Sequence, residues 1–596
     1  MSTTDTPARF TVGIDLGTTN TTLSFIEAEA EGAVDPTVLP IPQVVHASEV
    51  GSLPMLPSFA YLPAAGELPS GAIALPWDPN REFALGAFAR ERGAQVPGRV
   101  VSSAKSWLSH GAVDRRGAIL PWQAADDVEK ISPVTASARY LEHLREAWDS
   151  AHPDAPLASQ DIVLTVPASF DPVARQLTEE AARAAGLGAR LTLLEEPTAA
   201  VYAWLAQHGE GWRKQVEVGD VVLVCDIGGG TTDFSLITVA EDQGNLVLER
   251  VAVGDHILLG GDNMDLALAY TLQAQLEAEG KNIDDWQLRA LTHGCRGAKE
   301  RLLENGELAE QGVVIPGRGK KLIGGSLKVD LTRETLNAVL VEGFFPAVAA
   351  TDRPAAPKRM GITEVGLPYA SDAAITRHLA AFLGRQAADD GRAFRHPTAM
   401  LFNGGVTRSV LLRDRLLEIV NGWLTADGGQ PLKVLPGVDP DLAVSRGAAY
   451  FGRVRLGRGV RIKGGTARSY YIGIERAGLA VPGVPPRFDA VCVAPFGMEE
   501  GSEAELQREL GLVVGEPAAF RFFSSTERKE DRVGDEATPR ELTELDPIET
   551  TLAGDVGQVV PARLRVRVTE VGTLEIAAVE SASGRRHRLE FNVRVE

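Results

Sequence analysis

The chain has 596 residues, 44% of them hydrophobic and 23% charged, an ordinary balance for globular protein and too long for one core; usual domain sizes predict about four domains or subdomains. The net charge of −20 argues against nonspecific binding to nucleic acid or to an anionic membrane. Three scattered cysteines fit no zinc or disulfide spacing, the polar N-terminus does not read as a signal peptide, and no apolar run reaches the ~20 residues of a membrane span, so a cytoplasmic protein is expected.

In chain order, Val12-Gly13-Ile14-Asp15-Leu16 is an apolar strand ending at an acid. Gly17-Thr18-Thr19-Asn20 forms a tight turn and Thr22 to Ile26 a second strand, so the segment reads as a β-hairpin. Lys105 lies in a helix-like stretch, Ser102 to Trp107. Asp161 to Pro167 is a buried strand by its β-branched run, and Asp171 to Gly186 a helix with a natural glycine stop. Leu191 to Leu194 is a short strand and Pro197 to Leu205 a helix with proline in its first turn. Glu196 falls between them, at a strand end where active-site loops usually lie.

A near-copy of the first hairpin follows. Val224-Cys225-Asp226-Ile227 leads into Gly228-Gly229-Gly230-Thr231-Thr232-Asp233 and a second strand, Phe234 to Ile237. Helices are expected over Asn263 to Glu279 and Asp284 to Glu304, and a surface insertion loop over Phe345 to Ala370. Met400 to Phe402 is a strand feeding Asn403-Gly404-Gly405, then a helix runs from Val410 to Leu424. The helix from Asp441 to Arg453 is expected to return to the first lobe. Near Arg458 the character changes to alternating strands: Leu564, Val566 and Val568, then Leu574 to Ala578 after a turn at Val571-Gly572-Thr573, then Leu589, Phe591, Val593 and Val595. They suggest a small antiparallel sandwich. Glu499 to Glu509 reads as a short helix or a solvated loop, and the run Arg453, Arg455, Arg458, Arg461, Lys463 as a solvated linker face. Cys225, Trp107 and Trp148 read as core.

A turn of clustered N–H groups and hydroxyls makes an anion-binding concavity, and the Asp before it can hold a metal directly or through water. Each acid alone would be an ordinary turn residue; the duplication suggests two lobes gripping one polyphosphate. Gly404-Gly405 lets a flat ring or ribose approach the backbone, and Arg408 either stacks on a purine or bridges to a carboxylate. No P-loop, metalloprotease helix or nucleophile elbow is present.

The ordered set of motifs resembles the nucleotide-binding domain of the Hsp70 chaperone family, within the actin, hexokinase and Hsp70 ATPase superfamily. It comprises the two hairpins, VPASFDPVARQ at 166–176, LEEPTAA at 194–200, GDHILLGGDNMD at 254–265, CRGAKERLL at 295–303, FNGGVTR at 402–408 and DPDLAVSRGAA at 439–449. The resemblance covers about 10 to 455. It implies an α/β fold: a two-lobed actin-like ATPase over 9–457, built from duplicated ribonuclease H-like lobes, then a β-sandwich over 466–596. Lobe I spans about 9–222 plus the returning helix 441–457, and lobe II about 223–440.

In that family ATP or ADP lies between the lobes with Mg²⁺. The match implies that Asp15 and Asp226 hold the metal through water and that Asp233 positions the attacking water. Thr18, Thr19, Gly229, Gly230 and Thr231 would cradle the phosphates, with Gly17, Asn20, Gly228 and Gly261 completing the nucleotide contacts. Lys105 would sit by the γ-phosphate and Glu196 orient water and metal. Lys299, Gly404, Gly405 and Arg408 would face the nucleoside and Asp441 the base pocket, while Pro167 and Arg175 match residues that relay nucleotide state. Implied partners are unfolded or extended polypeptide, a J-domain co-chaperone and a nucleotide exchange factor, with no nucleic acid and no membrane.

The chain departs from the family pattern at several places. Arg296 stands where an acid usually meets the ribose, Leu303 where a serine usually lies by the adenine, and Asn20 where an aromatic is usual. Arg458 to Gly465 replaces the Leu-rich acidic linker, the sandwich matches only around 568–580, and the sequence ends where the helical lid would begin. The expected function is an ATP-driven, Hsp70-like chaperone; the alternatives are a small-molecule kinase of the superfamily or a nucleotide-binding scaffold with little turnover.

Overall fold

The computed structural model describes residues 7–594 apart from 33, 123, 125, 126, 243, 244, 256, 318–325, 357–366, 368, 388–391, 461, 464, 465, 467, 477–487, 500, 526, 527, 529 and 570–572. The chain is mixed α/β and divides into two compact units, one of residues 1–239 with 253–460, the other of 240–252 with 461–596.

In the larger unit, Phe10–Leu16 and Asn20–Glu27 form the first hairpin, with Asp15 opposite Thr22. Asp161–Val166 lies parallel to Phe10–Leu16, placing Thr165 beside Asp15, and Leu191–Glu195 lies parallel beyond it. Thr37–Val38 completes the strand order on the other side. Phe10–Leu16 and Asp161–Val166, in the middle of this sheet, are almost wholly buried on both faces, so they read as near-continuous apolar runs rather than alternating ones.

A second sheet repeats the scheme. Val221–Ile227 pairs antiparallel with Thr232–Asp242, with Asp226 opposite Asp233. Ala399–Asn403 lies parallel to Val221–Ile227 and sets Asn403 beside Asp226; Lys433–Val434 follows. In both sheets, then, a strand distant in sequence delivers a polar side chain to the acid that precedes the turn.

Helices cover these sheets close to the expected boundaries. Pro172–Ala184 is N-capped by Asp171, whose carboxylate accepts from the Ala174 amide. Glu196–His208 begins directly after Leu191–Glu195. Gly261–Ala278 and Asp285–Glu304 form a pair, the second opened by a reciprocal cap between Asp284 and Gln287. Ala443–Arg455 returns to the first sheet: Thr11 Oγ1 donates to the Ala449 carbonyl at 3.0 Å, and the Ser24 and Ser445 hydroxyls meet at 2.9 Å.

Two expectations need correction, and a third, the loop over 345–370, holds with an addition. Arg453 is not on a solvated linker face; it is buried and donates to the Ala30 and Gly32 carbonyls, while Arg458 donates to the Ala28 carbonyl. These arginines satisfy backbone groups of the bend after the first hairpin, which water would otherwise serve. The stretch 345–370 carries no helix or strand in its described residues, but its start is anchored, since Phe345 is buried and Trp423 Nε1 donates to the Val348 carbonyl at 2.6 Å. Among the described residues between 499 and 509 there is neither helix nor simple loop: Glu503–Glu505 is a strand paired with the Arg565–Arg567 stretch.

The smaller unit holds two five-stranded sheets. One is ordered Glu536–Ala537, Phe488–Ala494, Ser469–Glu475, Pro517–Ser525, Thr543–Thr551; the other joins Glu503–Glu505 and Leu510–Val514 to Gln558–Val568, then Thr573–Glu580 and Arg586–Arg594. Leu564, Val566 and Val568 are buried while Arg565 between the first two is exposed and Arg567 half-buried, and Leu574, Ile576 and Ala578 are buried beside them. Side chains of both sheets share one apolar cluster, including Tyr470, Val491, Phe522, Val566 and Ile576. The turn residues 571 and 572 and the side chains of 588–596 lie outside the described set. Cys225, Cys295 and Cys492 are free and buried, and burial pushes the Cys492 thiol up to about 12. Among the described residues no helix is long and apolar enough to cross a membrane.

Candidate functional site

The tips of the two hairpins face each other. A Cβ on Gly229 would collide with Thr19 Oγ1, and one on Gly230 would come within 2.7 Å of Thr18 Cγ2 and 2.8 Å of Ser106 Oγ. Only residues without a Cβ allow this approach. Both turns, Gly17 to Asn20 and Gly228 to Thr231, line one cavity of about 560 Å³. The same cavity is lined by Asp15, Asp226, Lys105 and Glu196, and by Gly261, Lys299, Gly404, Gly405, Arg408 and Asp441. Gly404 sits at φ 83°, in the left-handed region, where it turns Ala399–Asn403 toward the next helix. Asp233 is the one expected site residue off the wall. It is buried opposite Asp226, and side chains directly opposed in an antiparallel pair leave the same face.

Lys105 comes from a short helix, Ala104–Leu108, and is buried against Glu196, with which it forms a close ion pair. Burial alone would push its ammonium down, but the Glu196 and Asp15 carboxylates outweigh that and hold it up. The acids are pushed up as well. Asp15 rises to about 7 through desolvation, against the pull of Lys105 and with a further push from Glu196; Thr165 Oγ1 donates to its Oδ1 at 3.2 Å. Asp226 rises well above the ordinary carboxylate value through burial and the negative charges of Glu196 and Asp233, opposed by a 2.7 Å hydrogen bond from Asn403 Nδ2. Glu196 rises through burial despite Lys105. Lys105 thus faces three carboxylates, Glu196, Asp15 and Asp226, whose raised values a bound cation would bring down again.

Among the described residues no three His, Cys, Asp or Glu side chains are arranged to hold an ion by themselves. Two aspartates flanking a phosphate-sized turn fit Mg²⁺, which keeps several waters and takes few carboxylates. A polyphosphate fits too: Thr19 Oγ1 is closed from solvent and has no hydrogen-bond partner, the state of a donor awaiting an acceptor.

Arg296 and Lys299 rise from the helix Asp285–Glu304 onto aspartates of the helix Gly261–Ala278. Arg296 bonds Asp262 at 2.6 Å and Asp265 at 2.7 Å; Lys299 meets Asp265 at 2.6 Å and the Gly261 carbonyl at 3.1 Å. The second Asp262 oxygen accepts from Ser103 at 2.7 Å, and Ser103 itself holds a left-handed φ of 52° just before the Lys105 helix. Arg408 bridges Asp441 at 2.7 Å and Glu304 at 3.5 Å, so its carboxylate-bridging reading is the one observed in this state. Arg175 is paired with Glu195 at 3.0 Å, both buried. Thr165, Asn403, Asp262 and Ser106 were not singled out by sequence reasoning. The signal for Asn403 and Thr165 was present as a polar residue within or ending an apolar strand.

The chain is thus mixed α/β, with twin glycine-threonine hairpins around one cavity, and known proteins share its sequence pattern. The Hsp70 protein family profile matches residues 80–351. The chain is 31% identical over 453 residues to the chaperone protein HscA homolog of Burkholderia pseudomallei (strain 668), covering 74% of this chain and 58% of that one. The HscA homolog of Burkholderia mallei (strain SAVP1) is similar to the same extent. That of Burkholderia cenocepacia (strain HI2424) is 33% identical over 314 residues, 50% of this chain and 43% of the relative. Over this stretch the chain belongs to the Hsp70 family. It spans 58% of the length of the first of these relatives.

Proposed function

We propose that the protein binds and hydrolyses ATP with Mg²⁺, as an Hsp70-type molecular chaperone whose nucleotide cleft governs the binding of unfolded or extended polypeptide. The observation that carries this reading is the meeting of two Gly/Thr turns, each following an Asp, on one cavity. In this reading residues 9–457 are a two-lobed actin-like ATPase and the two hairpin-bearing sheets are the lobe cores. Residues 466–596 form a β-sandwich that holds polypeptide by strand-like contacts.

Phosphoryl transfer asks for positioning and charge stabilisation rather than covalent chemistry from the protein. Asp15 and Asp226 would hold Mg²⁺ through water, which would neutralise charge developing on the phosphates. The amides and hydroxyls of Thr18, Thr19, Gly229, Gly230 and Thr231 cradle the phosphate chain. Lys105, kept protonated and aimed by Glu196, steadies negative charge on the transferring group. Glu196 and Asp233 orient the attacking water and draw its proton. Gly261, Lys299, Gly404, Gly405, Arg408 and Asp441 bound the nucleoside. The partners on this reading are polypeptide, a J-domain co-chaperone and an exchange factor, in the cytoplasm.

The test is ATP turnover with and without Mg²⁺ and with and without a panel of unfolded peptides. Mg²⁺-dependent hydrolysis stimulated by peptide supports the reading; absence of ATP binding removes it. A second reading, a nucleotide-binding regulator with little turnover, is favoured by Arg296, which the two aspartates hold on the cavity wall. Tight ATP binding with negligible hydrolysis and no peptide effect selects it.

A further inference from the structure

Asp262 has no role in the scheme above, yet it ties together the elements around the cavity. It follows Gly261 at the start of the helix Gly261–Ala278 and lines the cavity. Its amide donates to the Gly229 carbonyl at 2.7 Å, next to a 3.0 Å bond from the Gly261 amide to the Gly228 carbonyl, so its backbone is fastened to the second turn. Its Oδ2 accepts from the Ser103 hydroxyl at 2.7 Å and its Oδ1 from Arg296 Nη2 at 2.6 Å. Arg296 is held in turn by the buried Asp265. With both oxygens in charge-assisted or short bonds, the carboxylate is fixed in orientation.

Ser103 is where that orientation matters. A serine that caps a helix ordinarily has extended backbone and turns its oxygen to the helix amides. Ser103 precedes Ala104–Leu108 with φ 52° and ψ 30°, and its side chain makes no bond to that helix, because Asp262 engages the hydroxyl. A residue with a Cβ holds this left-handed conformation only where its surroundings fix it. The Ser103 carbonyl accepts from the Ser106 amide at 3.0 Å, so the bend at Ser103 sets the direction of the short helix whose second residue is Lys105.

We infer that Asp262 is a positioning residue for Lys105. Clamped by Arg296 and fastened to the second turn, it holds Ser103 in the conformation that aims the lysine into the cavity. Glu196 fixes the end of the lysine side chain, and Asp262 fixes the backbone that carries it. The turn that cradles phosphate and the cation that steadies its charge are thereby set against each other through one hydrogen bond. This placement rests on the nucleotide reading above. It also gives Arg296 a task on that reading, which is to orient Asp262.

The test is kcat and KM of the full chain with ATP and Mg²⁺ for the wild type, Ser103→Ala, Ser103→Gly and Asp262→Ala, with the melting temperature of each. Misplacing a charge that acts on the transferring group should lower kcat by about tenfold or more and leave KM within about twofold. Ser103→Gly separates positioning from strain. Glycine adopts the left-handed conformation freely. If the hydroxyl merely stabilised that conformation, the glycine variant would turn over like the wild type; on the positioning account it loses kcat as the alanine variant does, without a lower melting temperature. The effect must also travel through the lysine. In a Lys105→Ala background, adding Ser103→Ala should change the single-turnover rate by no more than about twofold. A Ser103→Gly variant as fast as the wild type, or losses that multiply in the Lys105→Ala background, overturns the inference and leaves the nucleotide reading intact. A wild type without Mg²⁺-dependent turnover removes the hydrolytic reading and this inference together, so the two failures are told apart.

Discussion

The two hairpins share a backbone plan but not an electrical setting. Each puts an aspartate before a Gly/Thr turn, and each has a parallel neighbour that reaches the aspartate with a polar side chain, Thr165 for Asp15 and Asn403 for Asp226. Asp15 lies within the field of Lys105, which holds its rise to about 7. Asp226 is pushed well above its ordinary value by burial first and then by the negative charges of Glu196 and Asp233. The difference teaches that the helix Ala104–Leu108 offers counter-charge chiefly to Asp15, while Asp226 draws less from it. A cation arriving in the cavity gains most from Asp226.

The largest expected effect is on the shared lysine. Lys105→Ala removes the charge that faces both acids, and ATP turnover should fall by about a hundredfold to a thousandfold with nucleotide affinity changed far less. Asp226→Asn should cost about a hundredfold in turnover and Asp15→Asn only about tenfold, since Lys105 already offsets much of the Asp15 charge. Equal losses from the two substitutions would break the asymmetry.

The pH dependence follows with its sign. The acids must lose their protons to hold a divalent ion, so Mg²⁺ affinity should rise as pH increases through about 7, the Asp15 value. In the ligand-free protein the same shift acts on stability. Asp15 holds its proton more tightly folded than unfolded, about 7 against 3.8. Its contribution is therefore most favourable at low pH and is lost as pH rises between those values. Urea midpoints measured from pH 4 to 8 should show this slope, and Asp15→Asn should flatten it. The smallest effect compares the neighbours. Asn403→Ala should weaken Mg²⁺ binding about tenfold, whereas Thr165→Ala, removing a longer bond, should cost only about threefold.

The two hairpins and most helix limits were legible because they are local: alternating or continuous apolar runs, a cap such as Asp284, a glycine turn. The convergence of Asp15, Lys105, Glu196 and Asp226 was legible through duplication and ordered motifs. What stayed hidden is what parallel pairing brings from far along the chain. Nothing near Asp15 announces Thr165, and nothing near Asp226 announces Asn403. Arg453 read as solvated because its carbonyl partners at Ala30 and Gly32 lie 423 and 421 residues away along the chain. Glu503–Glu505 read as helix or loop because its strand character comes from its partner strand, not from its own residues.

The claim beneath all of this is that both turns hold one triphosphate. A crystal structure with Mg²⁺ and a non-hydrolysable ATP analogue tests it directly. The account predicts phosphate oxygens bonded to both 17–20 and 228–231, with the ion between Asp15 and Asp226. A nucleotide bound by one turn alone, or elsewhere on the chain, would contradict it.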